Sequence, residues 1–238
     1  MAQLTNSDAG STSSEFIKEL DEVIGRHSLL KHPFYQKWNE GTLSREALVN
    51  YAKQYYAHVR TFPVYLSACH SNCDEVKVRQ LLLENLMDEE HGEENHPELW
   101  LRFCDALGID RDDAKNAELL PKTKESIHIL RELTRSDDYR RGVAALYAYE
   151  SQVPEIARSK REGLKNLYDV TSDRAVSYFA VHEEADVVHR EMERDILQDH
   201  ATDDAAKNDI RDAAETSAKA MWMFLDGVYD AYVAPAAA

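Results

Sequence analysis

Apolar positions recur every three to four residues along most of this chain, which is the period of an amphipathic α-helix. The pattern starts with Phe16, Leu20 and Val23, just after a capping box at residues 12–15. It predicts further helices at about 44–63, 74–107, 123–134, 138–167, 172–198 and 202–229. Pro63 should kink or end the first of these helices, and Gly108 should cap the second.

The composition favours one domain without many tight turns. Of the 238 residues, 43% are hydrophobic, and only 8 are glycine and 6 are proline. We therefore expect an all-α, single-domain bundle of about seven to eight helices that spans residues 14–231. The polar residues 1–13 predict a disordered N-terminal tail, and the alanine-rich residues 232–238 predict a frayed C-terminus.

The charge excludes several partners. A net charge of −16 argues against nucleic acid and against anionic membrane surfaces, because both are recognised by basic patches. No apolar run approaches the ~18 residues of a membrane span, and no signal sequence begins the chain. Cys69, Cys73 and Cys104 are odd in number and suggest no disulfide framework. We expect a cytoplasmic protein.

Three potential metal ligands share one helical stripe near residue 185. His182, Asp186 and His189 stand at positions i, i+4 and i+7, which fall on one face of a helix. Apolar residues share that face, whereas charged residues such as Glu183 and Arg190 point away. Buried ionisable groups are costly, and a shared cation is a common way to make them tolerable.

A second candidate pair lies in the helix predicted at 74–107. Glu89 and His96 share a heptad spacing with Leu82 and Phe103, so they face the core. A rival face is polar throughout and is predicted to face solvent; it holds Gln80, Glu84, Asp88, His91, Asn95 and Arg102. Two alternatives stay open here. Glu93 and His96 form a Glu-x-x-His pair typical of ferritin-like di-iron sites, and Pro97 leaves the helical register at His96 uncertain.

Glu150 and Lys160 lie on the apolar stripe of a third segment, residues 142–160. A glutamate on the core side of a helix needs a metal, an arginine or a lysine as its partner.

Together the candidates are three imidazoles and three carboxylates: Glu89, His96, Glu150, His182, Asp186 and His189. Such ligands suit iron or manganese, and the absence of thiolates argues against structural zinc. Six ligands are more than one catalytic metal needs, so we predict two metal ions. The alternative is that these residues pair with one another, for example His182 with Glu150.

With these positions the chain resembles the family of the chlamydial protein associating with death domains. The resemblance runs from about Phe16 to Tyr229 and rests on residues 32–38, 84–90, 142–152 and 182–189. It implies a haem-oxygenase-like helical fold, shared with thiaminase II and the pyrroloquinoline-quinone synthase. The dimetal ligands of that family match the same six positions, which favours Glu89 over Glu93.

The resemblance also implies an unusual activity. Members use a dimetal site (Fe/Fe or Mn/Fe), dioxygen and an external reductant to make para-aminobenzoate, a folate precursor, from their own side chains. By that analogy Tyr35 gives up its ring, Tyr149 is a redox partner and Lys160 donates the amino group. The plain alternatives are tyrosines that simply pack and a Lys160 that forms a salt bridge with a carboxylate.

Two other functions compete with this one. A dimetal oxidase could act on an external small substrate such as an amino acid or fatty acid, or the chain could be a non-enzymatic interaction protein. Helical bundles often dimerise, and Trp222 and Phe224, read as exposed aromatics, would permit a homodimer.

Overall fold

Helices account for all the regular structure in the computed structural model, which describes residues 8–234 and the side chains of residues 15–234. Twelve α-helices lie in that range, and a 3-10 turn at Leu29–Lys31 precedes the second. They are α1 Asp8–Gly25, α2 Pro33–Asn39, α3 Arg45–Asn72, α4 Val76–Glu90, α5 His96–Ala106, α6 Arg111–Lys115, α7 Pro121–Thr134, α8 Tyr139–Glu150, α9 Val153–Leu167, α10 Asp173–His182, α11 Ala185–His200 and α12 Asp204–Tyr232. The all-α prediction is confirmed, but the number of helices exceeds the seven to eight expected.

Breaks within three of the predicted helices explain most of the extra elements. The breaks fall at residues 91–95, 151–152 and 183–184. At the first, Gly92 has a φ of 84°, and Pro97 stands in the first turn of α5. At the second, Pro154 stands in the first turn of α9, where its missing N–H costs no helical hydrogen bond. Pro63, by contrast, lies inside α3, which continues to Asn72, so the prediction that it might end the helix is wrong.

The chain ends differ in extent from the predicted boundaries. Helix α1 begins at Asp8, inside the predicted disordered tail, while residues 1–7 of that tail lie outside the described residues. Helix α12 ends at Tyr232, and residues 235–238 of the predicted frayed C-terminus likewise lie outside them.

The core is built around the two longest helices. Helix α12 packs along α7 and α8, α3 packs against α4 and α5, and α10 lies along α5. Phe224 of α12 is fully buried and Trp222 is half-buried, so reading both as exposed aromatics was wrong. The three cysteines are buried free thiols. None of the described helices combines the length and the apolar character needed to cross a bilayer.

Candidate metal centre

The six predicted ligands form two adjoining groups in the interior. Glu89, His96 and His182 make the first subsite, and Glu150, Asp186 and His189 make the second. Within each subsite one donor atom from every residue lies within 4.8 Å of the others. All six side chains are between 1% and 5% exposed. We call these six residues the metal centre.

Helix ends position most of these residues. Glu89 stands next to the last residue of α4, His96 begins α5, Glu150 ends α8 and His182 ends α10. Asp186 lies in the first turn of α11. The stripe predicted that His182 and Asp186 share one continuous helix. That prediction is wrong, because His182 belongs to α10 and Asp186 to α11. The break at residues 183–184 places them in different subsites.

In the first subsite, hydrogen bonding fixes one imidazole. Nδ1 of His182 lies 2.6 Å from the carbonyl oxygen of Tyr178. A carbonyl only accepts, so Nδ1 carries the proton and Nε2 keeps the lone pair that a metal requires. Nδ1 of His96 is 2.8 Å from a Glu89 carboxylate oxygen. The alternative pairing of His182 with Glu150 is not formed.

In the second subsite a residue from outside the predicted set orients the imidazole. Nε2 of His189 lies 3.1 Å from an Asp88 carboxylate oxygen, and Asp88 is 63% exposed. With its proton on Nε2, His189 turns Nδ1 toward Glu150 at 3.3 Å and Asp186 at 3.6 Å. A carboxylate that accepts from the remote nitrogen is the usual support of a metal-binding histidine.

Asn85 holds the remaining carboxylate of this subsite. Its side-chain amide donates to both oxygens of Glu150, at 3.1 and 3.2 Å. The sequence patterns predicted neither this contact nor that of Asp88. Glu93, the rival of Glu89, is exposed, so the geometry favours Glu89.

Unpartnered buried atoms test whether a metal fits. Nδ1 of His96, Nδ1 of His189 and both oxygens of Asp186 are buried without a hydrogen bond. Such atoms are costly inside a protein unless they bind a cation. Three carboxylates with neutral imidazoles carry three negative charges, which the four positive charges of two divalent cations would more than offset. The oxygen and nitrogen donors suit iron or manganese.

The pKa values in the second subsite reflect the close approach of its buried carboxylates and imidazole. Burial, followed by the Glu150 and Glu89 carboxylates, raises the pKa of Asp186 to about 7. Burial lowers the pKa of His189, but the nearby carboxylates of Asp186 and Glu150 outweigh it and raise the value to about 11. A bound cation would replace these protons.

A second pocket adjoins the metal centre and is lined by aromatic and other apolar side chains around one lysine. We call it the tyrosine pocket, and its lining includes Tyr35, Tyr55, Tyr149, Lys160, Tyr178 and Phe179. Tyr149 and Tyr178 also line the space beside Glu89 and Glu150. These two tyrosines therefore separate the tyrosine pocket from the metal centre.

Lys160 is enclosed in this pocket and is 3% exposed. Its Nζ donates to the Tyr51 hydroxyl at 2.6 Å. It also lies between 4.7 and 5.7 Å from the centroids of five rings, those of Tyr35, Tyr51, Tyr55, Trp100 and Phe179. No ion pair joins it to a carboxylate in the part of the chain that the structure describes. Burial lowers its pKa well below the usual value, and the ring faces act in the opposite direction.

Hydrogen-bonded tyrosines connect the two regions. The hydroxyls of Tyr149 and Tyr55 are 2.7 Å apart, and those of Tyr35 and Tyr51 are 3.1 Å apart. The rings of Tyr51 and Tyr55 stack with centroids 5.5 Å apart. The series runs from Tyr149, beside Glu150, to Tyr35. The sequence pattern did not single out Tyr51 or Tyr55 of α3, because periodicity does not separate a packing tyrosine from a pocket tyrosine.

Comparisons with known proteins agree on the family and the fold of this chain. Residues 49–222 match the family model described as iron-containing redox enzyme. The 4-aminobenzoate synthase of Nitrosomonas europaea is 38% identical over 231 residues, which cover 93% of this chain and 94% of that protein. The enzyme of the same name from Chlamydia trachomatis is 41% identical and covers 90% of this chain and 92% of its own length. The crystal structure of a TenA homologue from Pseudomonas syringae has a TM-score of 0.79 at 18% identity, covering 97% and 98% of the two chains. That likeness confirms the haem-oxygenase-like helical fold.

Proposed function

The chain belongs, with these 4-aminobenzoate synthases, to the family of iron-containing redox enzymes, and on that premise we propose that it makes 4-aminobenzoate from its own side chains. In this proposal Tyr35 supplies the ring, Lys160 supplies the nitrogen and Tyr149 is the redox partner next to the metal centre. As a member of this family the chain is an oxidoreductase.

The observation that carries the proposal is the enclosure of the Lys160 amine beside the Tyr35 ring. Lys160 and Tyr35 share the Tyr51 hydroxyl, and Nζ of Lys160 lies 5.2 Å from the centroid of the Tyr35 ring. A lysine buried among aromatic rings without a carboxylate is expensive to keep. A need for its nitrogen beside that ring accounts for the arrangement.

Glu89, His96, Glu150, His182, Asp186 and His189 would hold the two metal ions, as an Fe/Fe or Mn/Fe pair. When bound, this centre would supply oxidising power from dioxygen and an external reductant.

The remaining work belongs to the protein's own groups. Burial lowers the pKa of Lys160 well below its usual value, which favours the neutral amine with its lone pair. The Tyr51 hydroxyl accepts from Nζ and fixes its position against Tyr35. Tyr55 holds the hydroxyl of Tyr149, and burial raises the pKa of Tyr149 well above its usual value, so this phenol keeps its proton until it is oxidised. The apolar walls exclude water.

Two substitutions test the roles of these side chains. We expect Tyr35→Phe and Lys160→Arg to bind metal like the parent and to yield no 4-aminobenzoate after reconstitution with iron or manganese, reductant and air. Tyr56→Phe and Lys165→Arg are the matched controls, on α3 and α9, and should form product. Product at the parental level from either pocket variant would remove the role assigned to that residue.

The yield of 4-aminobenzoate per chain separates the proposed function from an oxidase that acts on an external substrate. A chain that consumes its own side chains releases at most one equivalent of product, with a mass change on Tyr35 or Lys160. Many turnovers that scale with an added amino acid or fatty acid would favour an oxidase with an external substrate. The homodimer, the cytoplasmic location and the external reductant stay predictions.

A further inference from the structure

One buried carboxylate of α11 has no role in the site described so far. Glu193 is 0% exposed, and both of its carboxylate oxygens lack a hydrogen-bond partner in the part of the chain that the structure describes. No lysine, arginine or histidine of that part forms an ion pair with it. A carboxylate in such a position needs a proton or a cation.

Its position on the helix directs it toward the second subsite. Glu193 follows His189 by four residues and Asp186 by seven, so the three side chains share one face of α11. The carboxylates of Glu150 and Asp186 are near enough for their charges to act on Glu193. Burial, and then the charge of Glu150, raise the pKa of Glu193 well above its usual value. Glu193 therefore lies on the side of α11 that carries Asp186 and His189 into the second subsite.

We infer that Glu193 is a further carboxylate ligand of the cation held by Glu150, Asp186 and His189. This inference rests on the metal centre proposed above. A divalent cation beside Glu150 turns the repulsion between its carboxylate and that of Glu193 into attraction of both to one charge. It also satisfies oxygens that have no other partner.

The ligand makes the two subsites chemically different. The first has two imidazoles and one carboxylate, whereas the second would have one imidazole and three carboxylates. Oxygen-rich sites bind hard cations such as Mn²⁺ in preference to softer ones. Mn²⁺ is therefore a sensitive probe for a contribution of Glu193.

The test compares Glu193→Gln with Glu191→Gln, an exposed position on the same helix. Chelator-treated protein is titrated with Mn²⁺ alone, and bound metal is measured by electron paramagnetic resonance and elemental analysis. We expect the parent and Glu191→Gln to bind two equivalents. Glu193→Gln should bind its second equivalent at least about 10-fold more weakly, with an altered spectrum of the bound ion.

Thermal unfolding provides a second readout, in which Glu193→Gln should change the midpoint of the metal-free protein and the stabilisation by Mn²⁺ in opposite directions. Removing one of the crowded carboxylates should raise the unfolding midpoint of the metal-free protein and reduce the further rise that Mn²⁺ produces. A purely packing role would shift both midpoints in the same direction and would overturn the inference. Unchanged affinity and spectrum in Glu193→Gln would overturn it as well. Failure of the parent itself to bind Mn²⁺ or Fe²⁺ would instead reject the metal centre.

Discussion

The metal centre and the tyrosine pocket are neighbours of similar burial, but they differ in whether their buried polar atoms have hydrogen-bond partners. In the tyrosine pocket the amine of Lys160 and the hydroxyls of Tyr35 and Tyr149 each have a hydrogen-bond partner. In the metal centre several imidazole nitrogens and carboxylate oxygens have none. A region whose buried polar atoms all have hydrogen-bond partners needs no ligand. A region whose buried charged atoms lack partners requires a cation. The comparison predicts different outcomes when each region is altered.

Loss of a ligand should break the metal centre most severely. We expect Asp186→Ala to lose at least one of the two metal equivalents and to lower product yield by more than about 100-fold, because ligand loss exceeds the 10- to 100-fold effect of outer contacts. The metal-free variant should be no less stable than the parent, since a buried carboxylate is removed. Metal analysis and calorimetry check both points. Glu184→Ala, an exposed neighbour, is the control, and a full metal complement in Asp186→Ala would contradict the assignment.

Removal of an orienting carboxylate should have a smaller effect. Asp88→Ala frees Nε2 of His189, and we expect metal affinity to fall by about 10- to 100-fold. Asp88→Asn keeps an oxygen that accepts from Nε2–H and should retain most of the affinity. Glu84→Ala, one turn earlier on α4, is the control in the same metal titration. Equal losses in the alanine and asparagine variants would show that charge, and not orientation, is what Asp88 supplies.

The tyrosine pocket should make the free energy of unfolding depend on pH, and this dependence should not require bound metal. The pKa of Lys160 is lowered in the folded protein, so the unfolded chain binds more protons between that lowered value and about 10.4. The free energy of unfolding should therefore rise with pH across this window, by about 1.4 kcal/mol for each unit of pKa displacement.

Lys160→Met removes this dependence. We expect it to be more stable than the parent at pH 7, with a difference that shrinks toward pH 10 in metal-free denaturant titrations. Lys165→Met, exposed on the same helix, should show no such trend. A difference between Lys160→Met and the parent that does not change with pH would contradict a lowered pKa.

A change at the far end of a supporting helix should have the smallest effect. Ser172 caps α10 by accepting from the backbone N–H of Ala175 at 3.2 Å. We expect Ser172→Ala to lower the free energy of unfolding by about 1 kcal/mol and to leave the metal content unchanged. Loss of metal in this variant would show that the position of His182 depends on the whole helix. In that case Ser172→Thr, which keeps a capping hydroxyl, should restore the metal content.

The sequence was sufficient to predict which six buried side chains meet in the metal centre, because burial leaves a periodic trace. Glu89 and His96 repeat the spacing of apolar neighbours, and that spacing persists across a break that the helix pattern did not predict. Asp88 and Asn85 carry no such trace, since each is defined by the residue it contacts on another helix. Glu193 does lie seven residues after Asp186 and could have been found by extending the stripe. Pro154 could have indicated the break at residues 151–152, whereas no proline or glycine marks the break at residues 183–184.

The near-complete burial of Tyr35, which is 2% exposed among Phe34, Tyr51 and Trp38, has a consequence for the fate of each molecule. If its ring leaves as product, the core keeps a hole where an aromatic side chain had been. Cavities of that size lower stability by about 3–5 kcal/mol, a large part of the margin that holds most domains folded. A molecule that has reacted once would then unfold more often than a fresh one, and proteases would clear it first. The lifetime of the protein would thereby record whether it has already acted.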